Sequence, residues 1–101
     1  MLLHTVNKSP FERNSLESCL RLSKAGHAIL LFEDGVYAAL QGTRWATAMT
    51  DALQTRKIYV MTSDLEARGM RSENVIAGIQ PIDYSGFVDL VADHKATQAW
   101  L

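Results

Sequence analysis

The chain holds a single cysteine, Cys19, inside the stretch FERNSLESCLRL at residues 11–22. A thiol is the side chain best suited to sulfur chemistry, because a thiolate attacks sulfur and can then hold it as a persulfide. An unshifted cysteine is only ~3% thiolate at pH 7, so a working thiol needs a cation or a helix N-terminus to lower its pKa. If Asn14 caps the helix, Cys19 sits in the second turn, beyond the strongest influence of the dipole. Its helical neighbours are Ser15, Leu16, Leu22 and Ser23, none of them cationic. The local sequence therefore favours Cys19 as a small apolar plug in a core. Any activation must come from another element or another subunit.

Other polar groups fall where open α/β sheets place their working residues, just past the C-terminal strand ends. These are Asn7-Lys8-Ser9, Asp34-Gly35 and Thr62-Ser63-Asp64. They could bind a small polar group, although turn residues also occupy turns for backbone reasons alone. No G-x-G-x-x-G or G-x-x-x-x-G-K-[ST] follows the first strand, so a nucleotide- or flavin-binding domain is disfavoured. No G-x-S-x-G elbow marks a catalytic serine. Asp64 and Glu66 are two apart on a short helical turn and do not face each other as an acid/base pair. His4, His27 and His94 show no metal-ligand spacing, and one cysteine excludes a cysteine-based zinc cluster. Neither a metal nor a cofactor is expected.

Several elements must position these groups. Residues 2–6 read as a strand, punctuated by Pro10. A helix follows from an Asn14 cap with Glu17 three residues on, and it stops near Gly26. HAILLFE, residues 27–33, is a near-continuous apolar run, as in a strand covered on both faces. Asp34-Gly35 signals a turn, VYAAL a helical turn, and RWATAMTDALQ a helix with Trp45, Met49, Ala52 and Leu53 on one face. KIYVMT, residues 57–62, is a third strand. SDLEARG is a helical turn capped by Ser63 and closed by Gly69. NVIAGIQPI, residues 74–82, is a fourth strand, with Pro81 marking an edge or an end. Asp83 or Ser85 caps a last helix carrying Phe87, Leu90 and Val91, and the tail KATQAWL ends on an exposed Trp100 and Leu101. Strands alternating with helices predict a small α/β sandwich: a mostly parallel sheet of about four or five strands flanked by helices.

The 101 residues fit one domain, 1–101, and the net charge of −1 gives no electrostatic footprint for nucleic acid. No apolar run approaches the ~20 residues of a membrane helix, and MLLHTVNKS lacks the basic and apolar regions of a signal peptide. A lone cysteine suits a reducing compartment, and the expected location is the cytoplasm.

Five segments in order, LHTVNKSPF, LLFEDGVYAA, DLEARG, IDYSGFVDL and the terminal QAWL, resemble the DsrH/TusB family of sulfur-relay proteins along essentially the whole chain. The context SPFERNSLESCL around Cys19 is most similar to the DsrH branch, associated with dissimilatory sulfur oxidation. The resemblance implies a DsrE/DsrF-like α/β fold. It also implies a sulfurtransferase heterohexamer with two copies each of this chain and of DsrE-like (TusD-like) and DsrF-like (TusC-like) partners. The complex would relay sulfane sulfur as cysteine persulfide to a DsrC-like (TusE-like) acceptor. The main carrier cysteine would lie on the DsrE-like subunit, leaving Cys19 a secondary persulfide site. Two alternatives stand beside this: a TusB-type subunit of the relay that 2-thiolates tRNA wobble uridine, and a scaffold subunit without chemistry in either complex.

Overall fold

The computed structural model describes residues 2–101. Five strands form one sheet: β1 (Leu2–Val6), β2 (Ala28–Leu31), β3 (Lys57–Met61), β4 (Gln80–Ile82) and β5 (Ala96–Trp100). Their order is β4-β3-β2-β1-β5, and every pairing is parallel. Parallel neighbours need crossover connections. These carry α1 (Ser15–Leu22), α2 (Ala46–Ala52), α3 (Thr62–Ala67) and α4 (Tyr84–Ala92), together with two 3-10 segments, Glu33–Ala39 and Ser72–Asn74.

The α/β expectation holds, and the sheet is wholly parallel. The run AILL of β2 is central and buried along its whole length, which is why it reads as apolar without alternation. One face carries Val6, Ile29, Leu31, Ile58 and Val60 against α1, the Glu33–Ala39 segment, α2 and α3. The other presents Leu3, Ala28, Leu30 and Ile82 to Leu90 and Phe87 of α4. One helix does not span five strands, so this second face is only partly covered.

Several local expectations need correction. The fourth strand is only Gln80–Ile82, because Val75 makes an isolated antiparallel bridge to Leu40 while Ser72–Asn74 winds as 3-10. β4 is an edge strand, so Pro81 lacks only a hydrogen it would not need there. Asn14 and Ser63 do not cap with their side chains: α1 begins without such a bond, and α3 begins at Thr62 with Met61 in the cap position, two residues before Ser63. Asp83 does cap α4, its Oδ1 accepting from the Gly86 amide at 2.8 Å. The tail is the largest departure. Ala96–Trp100 is a strand on the outer side of β1, and Trp100 packs against the main core instead of standing free.

Candidate functional site

Helical spacing turns Leu16 and Cys19 inward from α1, with Leu20 partly buried beside them. Cys19 is fully buried, among Val6, Leu16, Ile29 and the rest of the main core. Burial pushes its thiol up to about 12, and the nearby Arg56 cation only partly opposes this. Five pH units below that value, roughly one thiol in 10⁵ is ionised. In this conformation the Cys19 thiol is out of contact with solvent and burial favours its protonated form.

Arg56 has a structural task close by. Its Nη2 donates to the carbonyls of Leu20 at 3.2 Å and Ser23 at 2.7 Å, and its Nε donates to Ser23 Oγ at 2.8 Å. The last carbonyls of a helix lack internal partners and carry partial negative charge, so a guanidinium there satisfies both needs.

The strand-end groups do converge in part. Arg68 of the turn after α3 bonds Asp34 Oδ1 at 2.8 Å and sits 3.8 Å from Asp64 Oδ1. Asp64 Oδ2 accepts from the Glu33 amide at 2.9 Å, which secures Glu33 at its φ of 47°. Ser9 and Asp34 line a cavity of about 310 Å³ with Phe11, Glu12 and Tyr37. The groups are committed to one another, however. Ser9 Oγ accepts from the Phe11 amide, Thr62 Oγ1 donates to the Ile82 carbonyl, and Arg68 is shared by two carboxylates. Lys8 and Ser63 make no side-chain hydrogen bond here among the described residues, and Asn7 Oδ1 is buried without a partner. The arrangement ties the segment after β2 to α3 and the turn that follows it, with Arg68 engaged by two carboxylates and Lys8 in no ion pair among the described residues.

A cluster that sequence spacing gave no hint of lies on the main-core face of β1. His4 Nε2 is 2.9 Å from His27 Nδ1, and Trp100 Nε1 donates to His4 Nδ1 at 3.0 Å. His4 is buried and His27 half-buried. The only available signal was parallel register, which sets Ala28 beside Leu3 and so brings His27 to the start of β1. Among the described residues no group of three or more His, Cys, Asp or Glu could hold a metal ion.

The partly covered face holds an apolar groove of about 550 Å³, lined by Thr5, Leu30, Phe32, Met61, Tyr84 and Phe87 among others. Tyr84, Val88 and Val91 of α4 stand exposed beside it. No helix among the described residues is long and apolar enough to cross a membrane.

Comparison with known proteins accords with this architecture. The chain is similar to Protein TusB of Shigella flexneri, 37% identical over 99 residues, covering 98% of this chain and all of that protein. The TusB proteins of Escherichia coli strains HS and SE11 match to the same extent. The fold is similar to that of the ychN protein from E. coli, with a TM-score of 0.83 over 97% of both chains at 18% identity. It is also similar to MTH1491 from Methanobacterium thermoautotrophicum, with a TM-score of 0.75 over 97% of this chain and 96% of that one at 14% identity. The family described as DsrH like protein matches residues 8–97. With that match and full-length relatives above a third identical, the chain belongs to the DsrH/TusB family of sulfur-relay proteins.

Proposed function

We propose that this chain is a TusB-type subunit of the cytoplasmic sulfur relay that 2-thiolates tRNA wobble uridine. It completes the complex with TusC-like and TusD-like partners, and its own cysteine does not carry the sulfur. The observation that carries the second half is Cys19 itself, fully buried with its pKa pushed up to about 12. The support for the first half is the TusB relatives, which match 98% of the chain. Exposed Tyr84, Val88 and Val91 beside an apolar groove also suit a chain that works within an assembly.

The rival reading is a DsrH-type subunit of a sulfur-oxidation complex, in which Cys19 passes sulfane sulfur to a DsrC-like acceptor. Retention of a thiol in a context similar to the DsrH branch favours it. In that step the Cys19 thiolate would attack the terminal sulfur of a donor persulfide. The new S–S bond would form as the donor thiolate left, with no net oxidation. The step requires α1 to expose Cys19.

Two measurements test the proposal. The assembled complex is loaded with a sulfane-sulfur donor and each subunit is weighed intact. No mass added on this chain is expected, and about 32 Da removed by Cys19→Ser would establish the carrier reading. Separately, the gene is placed in a bacterium lacking its own TusB. Restored 2-thiouridine in tRNA is expected, and failure to restore it despite complex formation would refute the pathway assignment.

A further inference from the structure

We propose that His4, His27 and Trp100 form a pH-operated latch that holds β5 on the sheet. The donors present fix the proton positions. Trp100 Nε1 can only donate, so His4 Nδ1 must accept and carry no hydrogen. The proton of neutral His4 then lies on Nε2, from which it is donated to His27 Nδ1 at 2.9 Å. His27 Nδ1 also receives the Lys24 amide at 3.3 Å, so the His27 proton lies on Nε2. One donor chain, Trp100 to His4 to His27, thus defines both tautomers.

That chain tolerates only neutral imidazoles. A proton added to His4 goes to Nδ1 and confronts the Trp100 N–H. One added to His27 goes to Nδ1 and confronts both the His4 N–H and the Lys24 amide. The rings are also stacked, with centroids 5.0 Å apart, so a charge on either lies against the other. The surrounding charge offers no relief. His4 is held below the ordinary histidine range by burial, then by His27 and Arg56. His27 is lowered by its loss of water, and among the described residues by Lys24, Arg56 and His94. No Asp or Glu hydrogen-bonds either ring among the described residues, and β5 itself, ATQAW, carries no titratable side chain.

Apart from its five-position ladder to β1, the longest in the sheet, the element at stake has few attachments. β5 pairs only with β1, and Ala96 to Ala99 are exposed. Beyond that ladder, Trp100 against the core and a 3.2 Å bond from Ser15 Oγ to the Leu101 carbonyl fix its end. Protonation removes the Trp100 bond, and the strand end is freed. Both histidines titrate lower in the closed state than in the open one. The latch is therefore intact above the open-state value near 6.5 and is lost as pH falls through the closed-state values.

Amide hydrogen exchange on the full chain, from about pH 8 to about pH 5 and corrected for intrinsic rates, tests this. Each proton taken up on opening multiplies the open fraction by up to about tenfold per pH unit. β5 protection is expected to fall on that scale while β2, the central reference, holds. His27→Asn keeps an acceptor at the Nδ1 position but does not titrate, and is expected to flatten the slope. Trp100→Phe keeps the packing, removes the donor, and is expected to raise the pH at which the His4 ring titrates by NMR. Constant β5 protection across the range, a parallel loss in β2, or a hydrogen found on His4 Nδ1 in the wild-type chain at pH 8 would each overturn the latch.

Discussion

Arg56 and Ser23 are joined twice: Nη2 donates to the Ser23 carbonyl at 2.7 Å and Nε to its hydroxyl at 2.8 Å. Through this pair the residue before β3 closes the C-terminal end of the helix that carries Cys19. The cation that moderates the thiol's environment and the clamp that holds the thiol inside are the same side chain. Replacing Arg56 with alanine removes several charge-assisted bonds and is expected to cost about 2–3 kcal/mol in urea unfolding. Lysine, which lacks the planar fork, should recover less than half of that loss.

Cys19 gives opposite signatures as plug and as carrier. As a plug, Cys19→Ala leaves a small void and costs about 1 kcal/mol. Cys19→Ser buries a hydroxyl without a prepared partner and costs about 1–3 kcal/mol. Sulfur transfer by the assembled complex should stay at the wild-type rate in the alanine variant. A rate loss out of proportion to any loss of assembly would return the residue to the relay.

The same thiol predicts an alkaline limit. Its pKa is raised in the folded chain, so the stability it contributes is present below the unfolded value near 9 and is lost as pH rises towards about 12. The urea midpoint is expected to fall over that interval in wild type and to fall less in Cys19→Ala. Equal slopes would show that other groups dominate.

Gly35 lies against β1 so closely that a Cβ there would stand 2.2 Å from the Val6 carbonyl oxygen. Backbone on both sides leaves nothing flexible to yield. Gly35→Ala is expected to destabilise by about 3 kcal/mol or more, or to reduce soluble yield sharply. A thermal midpoint unchanged from wild type would contradict this packing.

Glu33 offers the reverse effect. Its φ of 47° is one that side-chain-bearing residues enter at a cost of about 1–2 kcal/mol. Glycine relieves that strain but adds freedom to the unfolded chain, so Glu33→Gly should gain up to about 1 kcal/mol. Asp64→Ala removes the acceptor for the Glu33 amide and should lose about 1–2 kcal/mol. Denaturant unfolding of the two variants reads both signs.

Much of the architecture was legible because it is written in local pattern. The unbroken apolar run of β2 requires cover on both faces, and β2 is central. Pro81 cannot donate to a ladder, and β4 is an edge. Asp83 precedes a run with apolar residues at helical spacing and caps it. The same spacing pointed Cys19 inward with no cation within a turn. What was misread had no local marker. ATQAW is uncharged and weakly patterned, and becomes a strand only because β1 offers it a parallel ladder. The caps expected at Asn14 and Ser63 failed because the chain enters those helices by other geometry.

The sequence by itself determined the layered α/β plan, the family, and the inward face of the helix that holds the single thiol. These follow from periodicity, turn chemistry and segments read in order. Only the tertiary structure decided that Arg56 clamps α1, that the strand-end carboxylates share Arg68, and that His4, His27 and Trp100 form one donor chain. The physical reason is register. Which residue faces which across a parallel sheet is set by packing between elements far apart in the chain, and hydrogen bonds with direction exist only once that packing has formed.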